Sequence, residues 1–507
     1  MQQRDVVPDD ELNQALVANV HPPDWQSPTP RGRYNLVVIG AGTAGLISAA
    51  GAAGLGARVA LIERHLMGGD CLNVGCVPSK ALLRVSRAVA DVRDAERFGV
   101  SAGAARVDFG AAMRRMRGLR ARISVNDSAA RYRDEKHVDV FLGAARFSGA
   151  DSVEVGGQTL RFAKAVIATG ARAAAPAIAG LEDAGYLTNE TVFSLTERPP
   201  RLAVIGAGPI GCELAQAFQR LGSQVVVLHD LPQVLPREDP DAAAIVQRAF
   251  VREGIALELQ VELLAARRDG AEKVLRFRRA GSPIEEEVRV DEILVGAGRA
   301  PNVEGLGLAR VGVAHDPGRG VVVDDHLRTT NKRIFACGDV CMEWKFTHAA
   351  DFAARIVIQN ALFFGRKRLS ALHMPWCTYT DPEIAHVGLS EREAAARGIE
   401  VDRYERAFHE VDRAILDGEE EGSVKVLTKR GGDQIVGATI VARHAGEMIS
   451  ELTLAMVGKI GLGKLAGVIH PYPTQADAIR QAGDAYNRTR LTPTVKRLFN
   501  ALLAWRR

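Results

Sequence analysis

The stretch YNLVVIGAGTAGLISAAGAAGLGARVALIE, residues 34–63, decides the fold. Its apolar start predicts a strand, the glycines predict a tight turn, the small residues predict a helix, and VALIE predicts a second strand that ends in an acid. Such glycines permit the turn, the approach of a pyrophosphate to the backbone, and close helix–strand packing. The unit therefore predicts a dinucleotide site that uses Gly40, Gly42, Gly45 and Glu63, with Glu63 accepting hydrogen bonds from ribose hydroxyls.

A second unit of the same kind, RLAVIGAGPIGCELAQAFQRLGSQVVVLHD, occupies residues 201–230. Two such units predict two bound dinucleotides. The position equivalent to Glu63 holds His229, followed by Asp230. No arginine immediately follows the strand, which favours NADH, whereas a protonated His229 or Arg237 leaves NADPH open. The glycines of this unit are Gly206, Gly208 and Gly211.

Three shorter stretches add to these sites. VIATGARAAAP (166–176) and ILVGAGRAPN (293–302) share one form, an apolar strand that runs into a small-residue turn at Gly170 and Gly298. TTNKRIFACGDV (329–340) ends a predicted strand on Gly338 and Asp339, where the acid is placed to hold the sugar-like chain of a flavin. From Leu372 onward the pattern changes to alternating strands, which predicts a separate α+β domain.

The stretch GGDCLNVGCVPSK, residues 68–80, places Cys71 and Cys76 just ahead of a predicted helix. In a regular helix two residues five apart are too distant to form a disulfide, so the chain between them must be distorted. Asn73 and Gly75 tolerate unusual backbone angles, and Pro78 suits a first helical turn. A helix N-terminus favours negative charge and lowers the pKa of a thiol there.

Composition limits the class of protein. A chain of 507 residues with 47% hydrophobic side chains predicts two to four domains. The net charge of +4 is mild and no basic stripe carries interleaved aromatics, so nucleic acid is not an expected partner. The N-terminus has no apolar signal-peptide core, and six cysteines are too few for a secreted disulfide framework. These features predict a soluble cytoplasmic protein, in which a disulfide is catalytic.

In their order, these motifs and TYTDPEIAHVG resemble the FAD-dependent pyridine nucleotide–disulfide oxidoreductases, the family of glutathione reductase, dihydrolipoamide dehydrogenase and mercuric reductase. The resemblance implies an α/β fold with two doubly wound Rossmann-like domains, for FAD and NAD(P), and a C-terminal α+β domain that makes a homodimer. The boundaries are an N-terminal extension (1–30), the FAD domain (31–186 and 313–371), the NAD(P) domain (187–312), the interface domain (372–488) and a basic amphipathic tail (489–507).

The resemblance also assigns roles to residues. Cys76 is the thiolate that contacts the flavin, and Cys71 is the outer thiol that attacks substrate. Lys80 points its ammonium at the flavin, and Glu213 pairs with it. Electrons from NAD(P)H pass through FAD to this cysteine pair. The pair lacks the CxxC spacing and further ligands of a zinc site, so no structural metal is predicted.

One departure from the family concerns the acid/base residue. In HPYPTQAD, Tyr472 stands at the histidine position of the disulfide-reducing members and Asp477 at the acid position. Mercuric reductases have a tyrosine there and a second one before the NAD(P) domain, where this chain has Tyr186. The resemblance therefore favours that branch, with Hg(II) or another small acceptor held transiently by Cys71 and Cys76. The chain lacks that branch's C-terminal cysteine pair.

Several alternatives remain open from sequence. If His470 acts as acid/base, the protein is a dihydrolipoamide dehydrogenase or another disulfide reductase; a redox-sensing electron-transfer flavoprotein is a third reading. Cys337 and Cys341 are expected to be packed and inert, with a second redox or metal pair as the alternative. In the tail, Val495, Leu498, Phe499, Leu502 and Leu503 share a helical face. Docking on its own dimer is the first expectation for that face, and peripheral membrane contact is the alternative.

Overall fold

The first sheet begins with a strand, a helix and a second strand within residues 33–63, as the glycine unit predicts. The structure, a computed structural model, describes residues 6–507. The elements of this first part are α1 (Glu11–Val20), β1 (Arg33–Ile39), α2 (Thr43–Gly54), β2 (Val59–Glu63), α3 (Gly69–Asn73), α4 (Cys76–Arg93), α5 (Phe109–Ser124), α6 (Ala129–Asp134), β3 (Asp139–Leu142), β4 (Arg146–Gly149), β5 (Ser152–Val155), β6 (Gln158–Ile167) and β7 (Ala171–Ala173).

The second glycine unit starts a second set of strands and helices. Its elements are α7 (Leu181–Ala184), β8 (Arg201–Ile205), α8 (Pro209–Arg220), β9 (Gln224–His229), α9 (Pro240–Arg252), β10 (Ala256–Leu259), β11 (Val261–Asp269), β12 (Glu272–Arg279), β13 (Glu285–Val290), β14 (Glu292–Val295) and β15 (Arg299–Pro301). The strands form a parallel sheet of order β10-β9-β8-β14 and an antiparallel sheet β11-β12-β13.

The chain then returns to the first sheet. This part contains β16 (His315–Asp316), β17 (Gly320–Val321), β18 (Ile334–Ala336) and α10 (Thr347–Leu362). The first sheet has the order β3-β2-β1-β6-β5-β4, and β18 lies parallel to the second half of β6. Because β7 pairs with β15, the two crossings between the sheets lie side by side. Strands β2 and β18 and the second half of β1 are buried and almost wholly apolar, as expected for a sheet covered on both faces.

The C-terminal part is a five-stranded antiparallel sheet of order β19-β20-β23-β22-β21, with helices packed beside it. Its elements are β19 (Pro375–Thr378), β20 (Glu383–Gly388), α11 (Glu391–Ala396), β21 (Val401–Ala407), α12 (Asp412–Asp417), β22 (Ser423–Lys429), β23 (Ile435–Ala442), α13 (Ala445–Val457), α14 (Leu462–Leu465), α15 (Asp477–Thr489) and α16 (Pro493–Trp505). The α/β class with an added α+β domain is thereby confirmed. Among residues 6–507, no helix is long and apolar enough to cross a bilayer.

The N-terminal extension is part of the folded body. Helix α1 buries Leu16 and Val20 in the core that also contains the glycine unit. Arg120 of α5 donates from Nη2 to Oδ1 of Asn13 at 2.6 Å and from Nη1 to the carbonyl oxygen of Asn73 at 2.7 Å. Asn73 lies between Cys71 and Cys76, in the segment 68–80, which we call the redox loop, so α1 is linked to that segment through one buried arginine.

We expect Leu16→Ala to lower the free energy of unfolding by about 2–5 kcal/mol, because it leaves a cavity between α1 and the core. Gln14→Ala, on the exposed side of the same helix, is the matched control and is expected to change it by less than about 0.5 kcal/mol. Urea denaturation followed by flavin fluorescence measures both. Equal stability of the two variants would show that α1 is not packed as described.

Candidate active site

The two cysteines of the redox loop lie on two separate helices. Cys71 is in the single turn α3, and Cys76 is the first residue of α4. A Cβ atom at Gly75, between the helices, would lie 2.7 Å from the carbonyl oxygen of Asp70, so only glycine fits this break. Nδ2 of Asn73 donates to the carbonyls of Met67 and Gly69 at 3.0 and 2.9 Å. The predicted distortion is therefore a break between two helices, and Asn73 contributes side-chain hydrogen bonds to it.

Lys80 lies one turn into α4 and forms the expected ion pair. Its Nζ is 2.7 Å from Oε2 of Glu213, which is buried on α8. Oε1 of Glu213 accepts from the backbone N–H of Tyr379 at 2.9 Å, and the tyrosine ring lies 4.6 Å from the Lys80 ammonium. Burial opposes the charge on Lys80, but the Glu213 carboxylate outweighs it and raises the pKa of Lys80. The ammonium is thus held in place and stays charged.

The surroundings of the two thiols make them unequal. Both are free thiols in the structure. A hydrogen bond from Cys71, with further help from Thr347 and the charge of Lys80, lowers the pKa of Cys76 to about 6. The same interaction and burial raise the pKa of Cys71. At neutral pH Cys76 is the thiolate, as the resemblance implies. Thr347, whose Oγ1 is 3.3 Å from the sulfur of Cys76, was not foreseen.

A cavity of about 2710 Å³ runs past these groups and along both glycine units. Its volume exceeds that of a single small-ligand pocket and suits two extended nucleotides. The first residues of α2 and α8, Thr43 and Pro209, line this space, so the N-terminal ends of both helices border it. The predicted residues that line it are Gly40, Gly42, Glu63, Cys71, Cys76, Lys80, Gly170, Tyr186, Gly208, Glu213, Gly338 and Asp339.

The first glycine unit has the shape needed for a pyrophosphate. Gly40 has a φ of +101°, and a Cβ there would lie 2.3 Å from the carbonyl oxygen of Ala168. A Cβ on Gly45 would lie 1.8 Å from the carbonyl oxygen of Gly40, which fixes α2 against β1. Glu63 accepts from the backbone N–H groups of Ala41 and His65 at 2.6 and 2.8 Å. Each carboxylate oxygen keeps a second lone pair for a ribose hydroxyl.

We expect Gly45→Ala to abolish FAD retention, because the added methyl group forces α2 away from the turn. Gly54→Ala is the matched control: it is the last residue of the same helix, and no atom lies within 4 Å of an added Cβ. The ratio of flavin to protein after gel filtration measures the effect. A yellow, fully loaded Gly45→Ala protein would contradict the assigned site.

The second unit repeats this geometry. A Cβ on Gly211 would lie 2.0 Å from the carbonyl oxygen of Gly206, whereas Gly208 faces open space. His229 ends β9, and its Nδ1 is 3.1 Å from Oδ1 of Asp230. Burial lowers the pKa of His229, so its ring is neutral at pH 7. The only charge of this pair at neutral pH is then the exposed carboxylate of Asp230.

Arg299 is a site residue that the sequence did not reveal. Its Nη2 lies 2.5 Å from Oδ2 of Asp70, next to Cys71, and 3.4 Å from Oδ2 of Asp339. Burial opposes the charge of Arg299, and the two carboxylates together raise its pKa. Arg299 therefore ties the redox loop to the acid expected to hold the flavin side chain. Its place in GAGRAPN, directly after Gly298, was the available signal.

The order of these sites along the chain matches one known family. The sequence profile of the pyridine nucleotide-disulphide oxidoreductases matches residues 34–354, and the profile of their dimerisation domain matches residues 374–483. The chain belongs to the pyridine nucleotide-disulphide oxidoreductase family. It is therefore an FAD-dependent enzyme that uses NAD(P)H. The dimerisation-domain match supports the predicted homodimer.

Similar proteins include two kinds of enzyme of this family. A mercuric reductase of Streptomyces lividans is 35% identical over 89% of this chain and 96% of its own length. A dihydrolipoyl dehydrogenase of Thermus scotoductus is 33% identical over 90% of this chain and 98% of its own length. The solved structure of RclA from Escherichia coli, an HOCl-induced flavoprotein disulfide reductase, has a TM-score of 0.78, 26% identity, and coverage of 88% of this chain and 99% of RclA. RclA has also been solved as a Cu(II) complex.

The residues predicted near the acid/base position lie apart in the single subunit. They are Tyr186, Tyr472 and Asp477. The hydroxyl of Tyr186 donates to Oε1 of Glu182 at 2.8 Å beside the cavity. Tyr472 is 77% exposed on the interface domain, and its hydroxyl donates to Oδ2 of Asp412 at 2.9 Å. Asp477 accepts instead from Arg480 and Gln481 at 2.7 and 2.6 Å. Tyr472 and Asp477, which the family pattern places at paired positions, therefore have separate partners.

His470 has both ring nitrogens engaged. Nδ1 lies 3.0 Å from the carbonyl oxygen of Val468, and Nε2 lies 3.0 Å from Oε1 of Glu451. Its side chain is only 6% exposed. An acid/base role would require this residue to release one of these two contacts, because one ring nitrogen must be free to take up the proton.

The other four cysteines are free thiols that are buried or partly buried. Cys212 is buried in α8, and Cys377 lies in β19. The sulfur of Cys337 is 3.9 Å from the hydroxyl of Ser48, and that of Cys341 is 3.7 Å from the carbonyl oxygen of Gly338. Burial raises the pKa of both thiols. Within residues 6–507, no three His, Cys, Asp or Glu side chains cluster as a metal site.

Proposed function

We propose that this flavoenzyme uses NAD(P)H to reduce a thiophilic metal ion, such as Hg(II), at Cys71 and Cys76. The observation that carries the proposal concerns residues 470–477, where the family has its acid/base residue. The one imidazole there, His470, is held at both nitrogens, and the exposed group is the phenol of Tyr472. The hydrogen bond to Asp412 raises the pKa of Tyr472, so the phenol stays protonated at neutral pH and is a poor proton acceptor.

A metal ion does not need that proton acceptor. Reduction of a disulfide requires protons to be moved to and from thiols, whereas Hg(II) is held by two soft thiolates. The overall reaction, NAD(P)H and Hg(II) giving NAD(P)⁺, H⁺ and Hg(0), balances with a two-electron transfer. The curated relatives include several mercuric reductases, which supports this assignment.

The chain's own residues have distinct roles in this reaction. FAD supplies the two-electron relay between the nicotinamide and the cysteine pair. Lys80, fixed by Glu213, stabilises negative charge beside Cys76. Cys71, in its own helical turn, is the thiol that captures the incoming ion. Tyr186 lines the cavity and Tyr472 is predicted to reach the partner's cysteines, where their hydroxyls serve as weak oxygen ligands or hydrogen-bond donors.

The nucleotide preference follows from the charges at the end of β9. A neutral His229 and the carboxylate of Asp230 give no cation at the end of β9 for a 2′-phosphate, so we expect kcat/KM for NADH to exceed that for NADPH by about tenfold. His229→Arg should narrow this ratio, while Gln224→Arg, at the exposed start of the same strand, should leave it unchanged. Steady-state kinetics with both nucleotides measures it. Preference of the wild type for NADPH would contradict the charge argument.

A panel of acceptors tests the proposal. Anaerobic holoenzyme reduced with NADH is mixed with Hg(II), Cu(II), lipoamide, glutathione disulfide and quinones. Cu(II) is included because RclA, a family member, has been solved with that ion. We expect Hg(II) reduction that excess thiol inhibits readily, since the chain has no cysteine after Cys377 to take the ion from thiols. Disulfides are expected to react more slowly.

Variants of Tyr472 provide a second test of the proposal. Tyr472→Phe should lower metal turnover, and Tyr472→His should raise disulfide reduction. The control is Tyr404→Phe, a tyrosine buried in the same domain. Rapid lipoamide reduction without Hg(II) reduction would refute the proposal and assign the acid/base role to His470. Reduction of the cysteines by NADH without turnover of any free acceptor would instead support a redox sensor.

A further inference from the structure

The last helix, α16, is separate from the body of the protein. It starts with a complete N-cap, in which Oγ1 of Thr492 accepts from the backbone N–H of Val495 and Pro493 occupies the first turn. None of its side chains is buried. In the part of the chain that the structure describes, no hydrogen bond or ion pair joins the helix to another element. A 13-residue helix of this kind is marginal in water without a surface to pack on.

The helix is strongly amphipathic. At 100° per residue its large apolar side chains fall within a sector of about 160°. Leu498 is 66% exposed, Leu503 is 56% exposed and Trp505 is 82% exposed. Lys496 flanks this sector next to Leu503, and Arg497 lies on the opposite face. The apolar sector consists of Val495, Leu498, Phe499, Leu502, Leu503 and Trp505.

The charged side chains of residues 485–507 are all cationic. Residues 485–507 contain no aspartate or glutamate, so no side-chain anion within the segment neutralises its cations. Its six cations are Arg488, Arg490, Lys496, Arg497, Arg506 and Arg507. The whole chain has a net charge of only +4, so the tail is far more basic than the rest. An apolar face flanked by cations matches the boundary between the acyl chains and the anionic headgroups of a bilayer. A polyanion without an apolar layer, such as nucleic acid, would leave the apolar sector exposed.

We propose that α16 is a peripheral membrane anchor that lies in the interface of an anionic bilayer. Its apolar sector enters the headgroup boundary, and its Lys and Arg side chains reach the phosphates. The dimerisation-domain match ends at residue 483, before the helix begins, so the anchor is an addition to the catalytic body. Two anchors on one homodimer bind together and strengthen attachment that a single short helix makes only weakly.

Vesicle flotation with the intact holoenzyme tests this proposal. Vesicles of phosphatidylcholine with 30 mol% phosphatidylglycerol are compared with vesicles of phosphatidylcholine alone. We expect binding to the anionic vesicles only, and a loss of about tenfold or more between low and high salt. The double variant Leu498→Asp/Leu502→Asp should abolish binding, and Lys496→Glu/Arg497→Glu should reduce it by about tenfold or more. NADH oxidation and FAD content should stay unchanged in both variants.

The control is Arg310→Glu/Arg319→Glu, which makes the same charge change at exposed positions outside the tail and should bind like the wild type. Failure of the intact protein to bind anionic vesicles would overturn the proposal, as would equal binding to neutral vesicles. Truncation after Arg490 discriminates further. If it weakens the dimer and leaves vesicle binding unchanged, the helix packs on the partner subunit and the proposal is wrong. None of these outcomes depends on which acceptor the enzyme reduces.

Discussion

Cys76→Ser is expected to lower NADH-dependent acceptor reduction by about a thousandfold or more, because the thiolate that receives electrons is removed. The pKa of Cys76 is about 6, so this sulfur is ionised at neutral pH and should give the long-wavelength absorption of a thiolate beside oxidised flavin. That band should disappear in Cys76→Ser. In Cys71→Ser acceptor reduction should also be lost, but the band should remain.

Cys377→Ser provides the matched thiol control. Cys377 lines the same cavity, yet burial raises its pKa and keeps it a neutral thiol. Its substitution should leave both turnover and the band intact. Anaerobic titration with NADH, followed by absorption spectroscopy, measures all three variants. A band that persists without Cys76 would reverse the roles assigned to the two sulfurs.

Lys80→Met is expected to lower turnover at pH 7 by about a hundredfold, because it removes the cation beside Cys76 and leaves the Glu213 carboxylate buried and unpaired. The wild-type rate should rise with pH through about 6, since the thiolate forms above the pKa of Cys76. The Lys80 ammonium is one of the groups that lower this pKa, so the rise should move to higher pH in the variant.

Arg84→Met is the control for this experiment. Arg84 lies one turn further along α4, is also a cation, and is exposed. Its removal should change neither the rate nor the pH midpoint. If Lys80→Met kept the wild-type pH profile, the ionisation of Cys76 would depend on its hydrogen bonds alone.

The sequence by itself determined the parts of this protein that depend on local order. A strand, a glycine turn and a helix are contiguous in the chain, so the two glycine units, residues 34–63 and 201–230, were predicted and found. A distortion between Cys71 and Cys76 and a helix after them were predicted for the same reason, but both cysteines lie inside helices rather than ahead of one. Each of these depends on backbone angles and packing within about 30 residues, which residue types fix directly.

Other features of the site are decided by contacts between distant segments. The Lys80–Glu213 pair joins residues 133 positions apart, and it was assigned only through the resemblance to a family. Thr347 beside Cys76 had no local pattern to reveal it, and the motif GAGRAPN marked the position of Arg299 but not its contacts with Asp70 and Asp339. A hydrogen bond across such a separation depends on how the sheets pack, which no periodicity in the sequence encodes.

Residues 470–477 and the two ends of the chain also have contacts that the sequence alone did not predict. The sequence placed His470 near the position that matters, but only the fold shows that Glu451 and the Val468 carbonyl hold its ring. It placed an extension before residue 31, but only the fold shows Leu16 in the core. For the last helix, the sequence pattern predicted an amphipathic helix, and the fold shows that none of its residues is buried by the rest of the chain. Burial is a property of the folded chain as a whole, so tertiary structure alone decides which of several plausible side chains is free to act.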